Sequence, residues 1–144
     1  MSSFGSGNYK ILKFRAGPIA NPGTGEALIY TCPPDKVAQA YIYTAVVTPS
    51  GTAVPQLVVK LWSPETQSVS AVEVVSSLGI INAPVGNFYL RPSGLSNLSF
   101  NNPYISTVAS LGPEDVLYYR NGGGSGTGNN YATVVVVEFG RNDD

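Results

Sequence analysis

The sequence holds no histidine and one cysteine, Cys32. Without histidine, neither a Ser-His-Asp nor a Cys-His catalytic device can be assembled. The commonest transition-metal ligand is missing as well. A lone cysteine closes no internal disulfide. Beside Pro33 and Pro34, Cys32 reads as a small apolar residue at a strand end. Charge is scarce: 12% of residues are charged, about half the usual share of roughly 25%. The net charge is −1, with no basic patch to attract nucleic acid. No apolar run approaches the roughly 18 residues of a membrane span. The opening "MSSFGSGNYK" lacks the basic and apolar regions of a secretory signal. The expectation is a chain made in the cytosol, with no nucleic-acid or membrane partner, no metal and no cofactor.

What is present is β-rich sequence punctuated by 16 glycines and 11 prolines. At 144 residues, one domain spanning 1–144 is expected. Residues 1–8 and 140–144 read as short polar arms. Strands are expected at 8–17, 26–32, 37–48, 55–63, 68–78, 88–92, 104–110, 116–120 and 131–139. β-Branched and aromatic residues fill them, and Gly, Pro, Asn and Asp separate them. In "VAQAYIYTAVVT", Ala38, Ala40, Ile42, Thr44 and Val46 share one face and Gln39, Tyr41, Tyr43, Ala45 and Val47 the other. Both faces are largely apolar, so both are expected to be covered. "PSG" at 49–51 reads as a turn. About eight or nine short strands and no convincing helix predict an all-β fold. The architecture expected is an antiparallel β-sandwich of jelly-roll type.

The stretch "NGGGSGTGNNYATVVVVEFG" tests for phosphate chemistry. A phosphate-binding glycine loop needs a lysine and must open a helix. This one has no lysine and runs into valines, so it reads as a slack hairpin tip between two strands. Shortening 122–128 should then cost little, whereas Val134→Asp or Val136→Asp should prevent folding. Glu114 and Asp115 are adjacent in a turn after Gly112-Pro113, the carboxylates Glu26, Asp35, Glu65, Glu73 and Glu138 are scattered, and no pair is marked as a glycosidase couple. The expectation is a protein without enzymatic activity. Nine tyrosines are a rich supply of amphipathic contact area. Phe4, Tyr9, Tyr41, Tyr43, Trp62, Tyr118, Tyr119 and Tyr131 are the candidate partner-contact residues. Carbohydrate stacking on such aromatics is the lesser alternative.

Two segments carry a resemblance. In "IYTCPPDKVAQAYIYTAVVTPSG", Tyr30, Pro33, Lys36 and Ala38 fit a Y-x-x-P-x-x-K-A approach to a long strand. In "STVASLGPEDVLYYRNGGGSGTGNNYATVVVVEFG", Leu111, Pro113, Asp115 and Leu117 fit L-x-P-G-D-x-L, with Glu114 in place of glycine. Ala132, Thr133, Val134, Val136 and Glu138 approximate a final A-T-V-x-V-x-x-x-E strand. Together these resemble small β-sandwich structural proteins of tailed bacteriophages. The resemblance covers 29–51 and 106–140. It implies a virion component without enzymatic activity. The expectation built on it is a protein that binds copies of itself, with a trimer as one way for such an assembly to close, and binds a major capsid or tail protein. Head decoration or cement is the leading role. A tail or neck accessory and a receptor- or carbohydrate-binding module are the alternatives.

Overall fold

The computed structural model describes residues 9–82 and 108–140. All regular structure there is β: β1 (Tyr9–Asn21), β2 (Glu26–Thr31), β3 (Lys36–Ser63), β4 (Ser68–Ser77), β5 (Ile81–Asn82), β6 (Val108–Leu111) and β7 (Val116–Gly140). The all-β antiparallel class expected from the sequence is the one found. The strand count is seven among the described residues: the expected strands at 37–48 and 55–63 are one strand, as are those at 116–120 and 131–139, and β5 is not among those expected. The expected strand at 88–92, and residues 104–107 of another, lie outside the described residues.

Pairing shows how two long strands build two sheets. The first half of β3 pairs β6 along 38–41 and the last half of β7 along 36–48, and that half of β7 pairs β1. The second half of β3 pairs β4 along 56–63 and the first half of β7 along 52–60, and that half of β7 pairs β2. One four-stranded arrangement is therefore β1–β7–β3–β6, called here the first sheet. The other is β2–β7–β3–β4, the second sheet. A β3–β7 ribbon folded over on itself, with the remaining strands flanking it, is jelly-roll connectivity. The halves enclose one core: Ala40, Ile42, Val134 and Val136 from the first sheet meet Leu57, Val59, Leu117 and Tyr119 from the second.

The fold-over explains the glycines. The segment 121–130 is not a hairpin tip, and 49–51 is not a turn. Both are strand, paired with one another, and Gly51 lies opposite Gly126. Their φ angles are +121° and +83°, in the region side chains avoid. A corner that bends two paired strands together needs this freedom on both. Buried amides fasten the corner. Asn130 donates to Ile19 O at 3.1 Å and accepts from the Tyr119 hydroxyl at 2.8 Å. Asn121 accepts from Val54 N at 3.0 Å and donates to Gly23 O at 2.7 Å.

Bulges correct the expected faces. β3 shifts register between Ile42 and Thr44, and one extra residue reverses the alternation beyond it. Ala45 and Val47 are therefore buried, in place of Thr44 and Val46. On β7 the valine run is buried on both sides: Val134 and Val136 in the core, and Val135 beneath the outer face. β4, expected at 68–78, is a strand, and most of both its faces is exposed.

Candidate partner-binding surface

Directly opposed residues of an antiparallel pair share a face, so the register alone composes the outside of each sheet. On the first sheet, Tyr9 lies opposite Phe139, and Phe139 opposite Val37. Ile11, Val137 and Gln39 form the next row, and Lys13, Val135, Tyr41 and Val108 the one after. Tyr9, Ile11 and Val108 are exposed large hydrophobics, 48%, 60% and 47% accessible. Lys13 Nζ lies 5.7 Å from the Tyr43 ring centre, and the Arg15 guanidinium 5.8 Å from that of Tyr131. These are distances at which a cation feels the ring's negative face. The result is a tyrosine-lined, largely apolar face whose charges, among the described residues, are all positive.

The outer face of the second sheet is built differently. Glu26, Arg120, Glu73 and Lys60, one from each of four strands, form a closed ring of alternating sign. Lys60 reaches Glu26 at 3.0 Å and Glu73 at 3.8 Å; Arg120 reaches Glu26 at 3.2 Å and Glu73 at 2.9 Å. The Lys60 and Arg120 hydrogen bonds hold the Glu26 carboxyl below its ordinary value, and the carboxylates raise both cations. Two carboxylates that sequence left scattered are thus neighbours. Each is neutralised by two cations, an arrangement for holding four strands in register rather than for acid–base work. Lys60 Nζ also sits 4.1 Å from the Tyr118 ring centre. A shallow hollow of about 420 Å³ adjoins the ring, lined by Thr24, Glu26, Gln56, Arg120, Asn121 and Gly122. Most of its polar groups are already engaged: Glu26 and Arg120 with each other, and Asn121 with the backbone. Leu28, 61% exposed, and Val75, 45% exposed, share this face through Tyr118 and Val58, while Val74, opposite the core residue Val59, is exposed on the other face of β4.

The predicted contact residues therefore divide. Tyr9, Tyr41, Tyr43 and Tyr131 gather on the outside of the first sheet. Tyr118 is half-buried on the outside of the second, and half-buried Trp62 lies at the end of β3 opposite Val69, its backbone N–H donating to Asp115 Oδ1 at 2.8 Å. Tyr119 is a correction: it is fully buried, with its hydroxyl bonded to Asn130, and presents no surface to a partner. Phe4 lies outside the described residues. Exposed Ile11, Leu28 and the β4 valines were missed in sequence, because an apolar residue on a strand reads as core until its sheet is known to be an edge. Among the described residues no three His, Cys, Asp or Glu side chains converge as a metal cage requires, and no helix is long and apolar enough to cross a membrane.

No protein-family model and no curated protein matches the chain. Among solved structures, it is similar to a chain of the Bacillus endospore appendages, described as a novel family of disulfide-linked pili. The identity is 11%, covering 99% of this chain and 98% of that one, with a TM-score of 0.34. A weaker similarity is to the infectious bursal disease virus VP2 subviral particle. There the identity is 9%, covering 95% of this chain and 42% of that one, with a TM-score of 0.20. Scores this low leave the functional argument to the geometry of the chain itself.

Proposed function

We propose that this chain is a structural building block that works by adhesion, without a reactive centre of its own. The observation that carries the reading is the outside of the first sheet, where Tyr9, Ile11 and Val108 stand exposed among half-buried tyrosines. Contiguous apolar and aromatic surface of this kind marks a contact site on a soluble protein. The exposed valines of β4 add a second such region, on a strand that among the described residues pairs on one side alone. A jelly roll is a stiff platform that serves viral capsid and lectin domains alike; that is an analogy of fold, and the surface is what favours assembly.

In the finer form of the proposal, the chain decorates or cements a phage-like particle, bound to copies of itself and to the capsid shell. Support comes from the positions that carry the resemblance. Tyr30 and Glu138 bond to one another, Asp115 ties three segments together, and Glu114 adopts the backbone of the glycine it replaces. The single cysteine is wholly buried, so the contact between copies is expected to hold without a disulfide.

The test is solution mass. Sedimentation velocity of the full chain across a wide concentration range is expected to show a self-associated species. A monomer at every concentration would remove the self-association half of the proposal. Failure to co-sediment with phage shells would remove the other half.

A further inference from the structure

Charge is segregated on this molecule in a way that gives the self-association proposed above a definite geometry. The outer face of the first sheet carries Lys13 and Arg15, both exposed, and no carboxylate among the described residues. Neither cation has an acidic partner there; each leans on a tyrosine ring instead. The nearest carboxylate on the neighbouring strand, Glu138, is buried and accepts the Tyr30 hydroxyl.

The opposite sign collects at one end of the sandwich. Three turns meet there: 32–35 between β2 and β3, 64–67 between β3 and β4, and 112–115 between β6 and β7. Cys32 N bonds Asp115 O at 2.9 Å, Glu114 N bonds Cys32 O at 2.8 Å, and Trp62 N bonds Asp115 Oδ1 at 2.8 Å, so the turns form one surface. Asp35, Glu65 and Glu114 emerge from it. Lys36 lies 3.9 Å from Asp35, while Glu65 and Glu114 have no cation partner among the described residues.

These two surfaces decide how copies meet. A two-fold contact through the tyrosine face would set Lys13 and Arg15 of one copy against those of the other, a like-charge clash. A contact between unlike surfaces removes it. We propose that copies of this chain associate head to side: the acidic turn end bearing Glu65 and Glu114 of one copy seats on the tyrosine-lined cationic face bearing Lys13 and Arg15 of the next. Tyr9 and Ile11 supply the apolar contact, and the unlike charges fix the register. A heterologous contact of this kind closes into a ring if its rotation allows, and otherwise propagates as a filament. This inference rests on the self-association reading and adds which surfaces take part.

The experiment is a charge swap read by sedimentation velocity on the full chain. Self-association should weaken with rising salt. Lys13→Glu with Arg15→Glu should weaken it at least about tenfold, and so should Glu65→Lys with Glu114→Lys. Mixing the two reversed proteins should restore it, because each then offers the charge the other lacks. All four positions lie at the surface, and unchanged circular dichroism verifies that each variant is folded. If the unaltered chain associates but the reversals change nothing, or mixing restores nothing, the head-to-side contact is wrong while self-association stands. If the unaltered chain never associates, both fail together.

Discussion

The Tyr30 hydroxyl donates to Glu138 Oε2 at 2.6 Å, joining residues 108 positions apart. Tyr30 is on β2 in the second sheet and Glu138 on β7 in the first, so the bond is a clamp across the sandwich. Its carboxylate is buried, with Lys10 only at 4.0 Å and largely in solvent. The Tyr30 ring also packs 5.9 Å from Phe14. Tyr30→Phe keeps that packing and removes the donor, leaving the buried Glu138 oxygen short of a hydrogen bond. The expected cost is about 2–3 kcal/mol of stability, measured as a shift in the urea midpoint. Glu138→Gln, which keeps an acceptor, should cost less. A midpoint unmoved by Tyr30→Phe would show that the clamp is idle.

Alkaline pH should loosen this same region. Burial pushes the Cys32 thiol from its ordinary 9.0 up to about 11. Burial also raises Tyr30 and Tyr119 above their ordinary 10.0, and Tyr30 is raised further by donating to Glu138. A group whose folded value is raised gives its full stabilisation below its unfolded value and loses it as pH climbs through the folded one. Stability should therefore fall above about pH 9, by roughly 2–3 kcal/mol from Cys32 alone once pH passes its folded value. Denaturant titrations at stepped pH measure the slope. Cys32→Ala should remove the fall that begins near pH 9 and leave the tyrosine part, which sets in above pH 10.

Glu114 holds φ at +70° in the turn before β7, where the resemblance expects glycine. The turn survives because Asp115 Oδ2 accepts from Gly112 N at 2.8 Å and Glu114 N donates to Cys32 O. A left-handed conformation costs an ordinary residue about 1–2 kcal/mol, and glycine returns part of that as chain entropy. Glu114→Gly should accordingly stabilise by about 0.5–1 kcal/mol. Glu114→Val, β-branched in the same conformation, should destabilise. Equal melting midpoints for all three proteins would dismiss the strain argument.

The β class and the location of most strands were legible because alternation and β-branched runs are local signals. The way the strands join was not. Glycine and proline mark both turns and bent strands, and only pairing across more than 70 positions, as in Ser50 with Thr127, tells them apart. The clue was present in the two asparagines bracketing the glycines, since Asn121 and Asn130 are the buried amides that fasten the corner. A single bulge at Tyr43 was enough to exchange Thr44 and Val46 for Ala45 and Val47 in the core. The ring of Glu26, Lys60, Glu73 and Arg120 was invisible for the same reason: its members come from four strands, and no spacing in sequence brings them together.

The valine run gives the most direct test of the central strand. Val134 and Val136 are wholly buried, between β1 and β3. Aspartate at either position would bury an unpaired charge, a loss comparable with a domain's entire stability of about 5–15 kcal/mol. Val134→Asp and Val136→Asp should give no soluble native protein, judged by yield and circular dichroism. A native-like product from both would contradict the position of β7.

Removing one residue from the glycine segment separates a bent strand from a slack loop. Past Gly128, β7 continues in register with β1 and β3, and Val134 and Val136 face inward. Deleting Gly126 alone shifts everything beyond it by one position. A one-residue slip turns each side chain to the opposite face, so either the valines leave the core or β7 breaks its pairing with β3. A slack tip would absorb the same deletion for a few tenths of a kcal/mol. The strand requires a loss of several kcal/mol or failure to fold. Denaturant midpoints of the deletion, set beside the substitution Gly126→Ala, divide the two. If Gly126→Ala, which strains φ but keeps the register, costs more than the deletion, the corner is a loop after all.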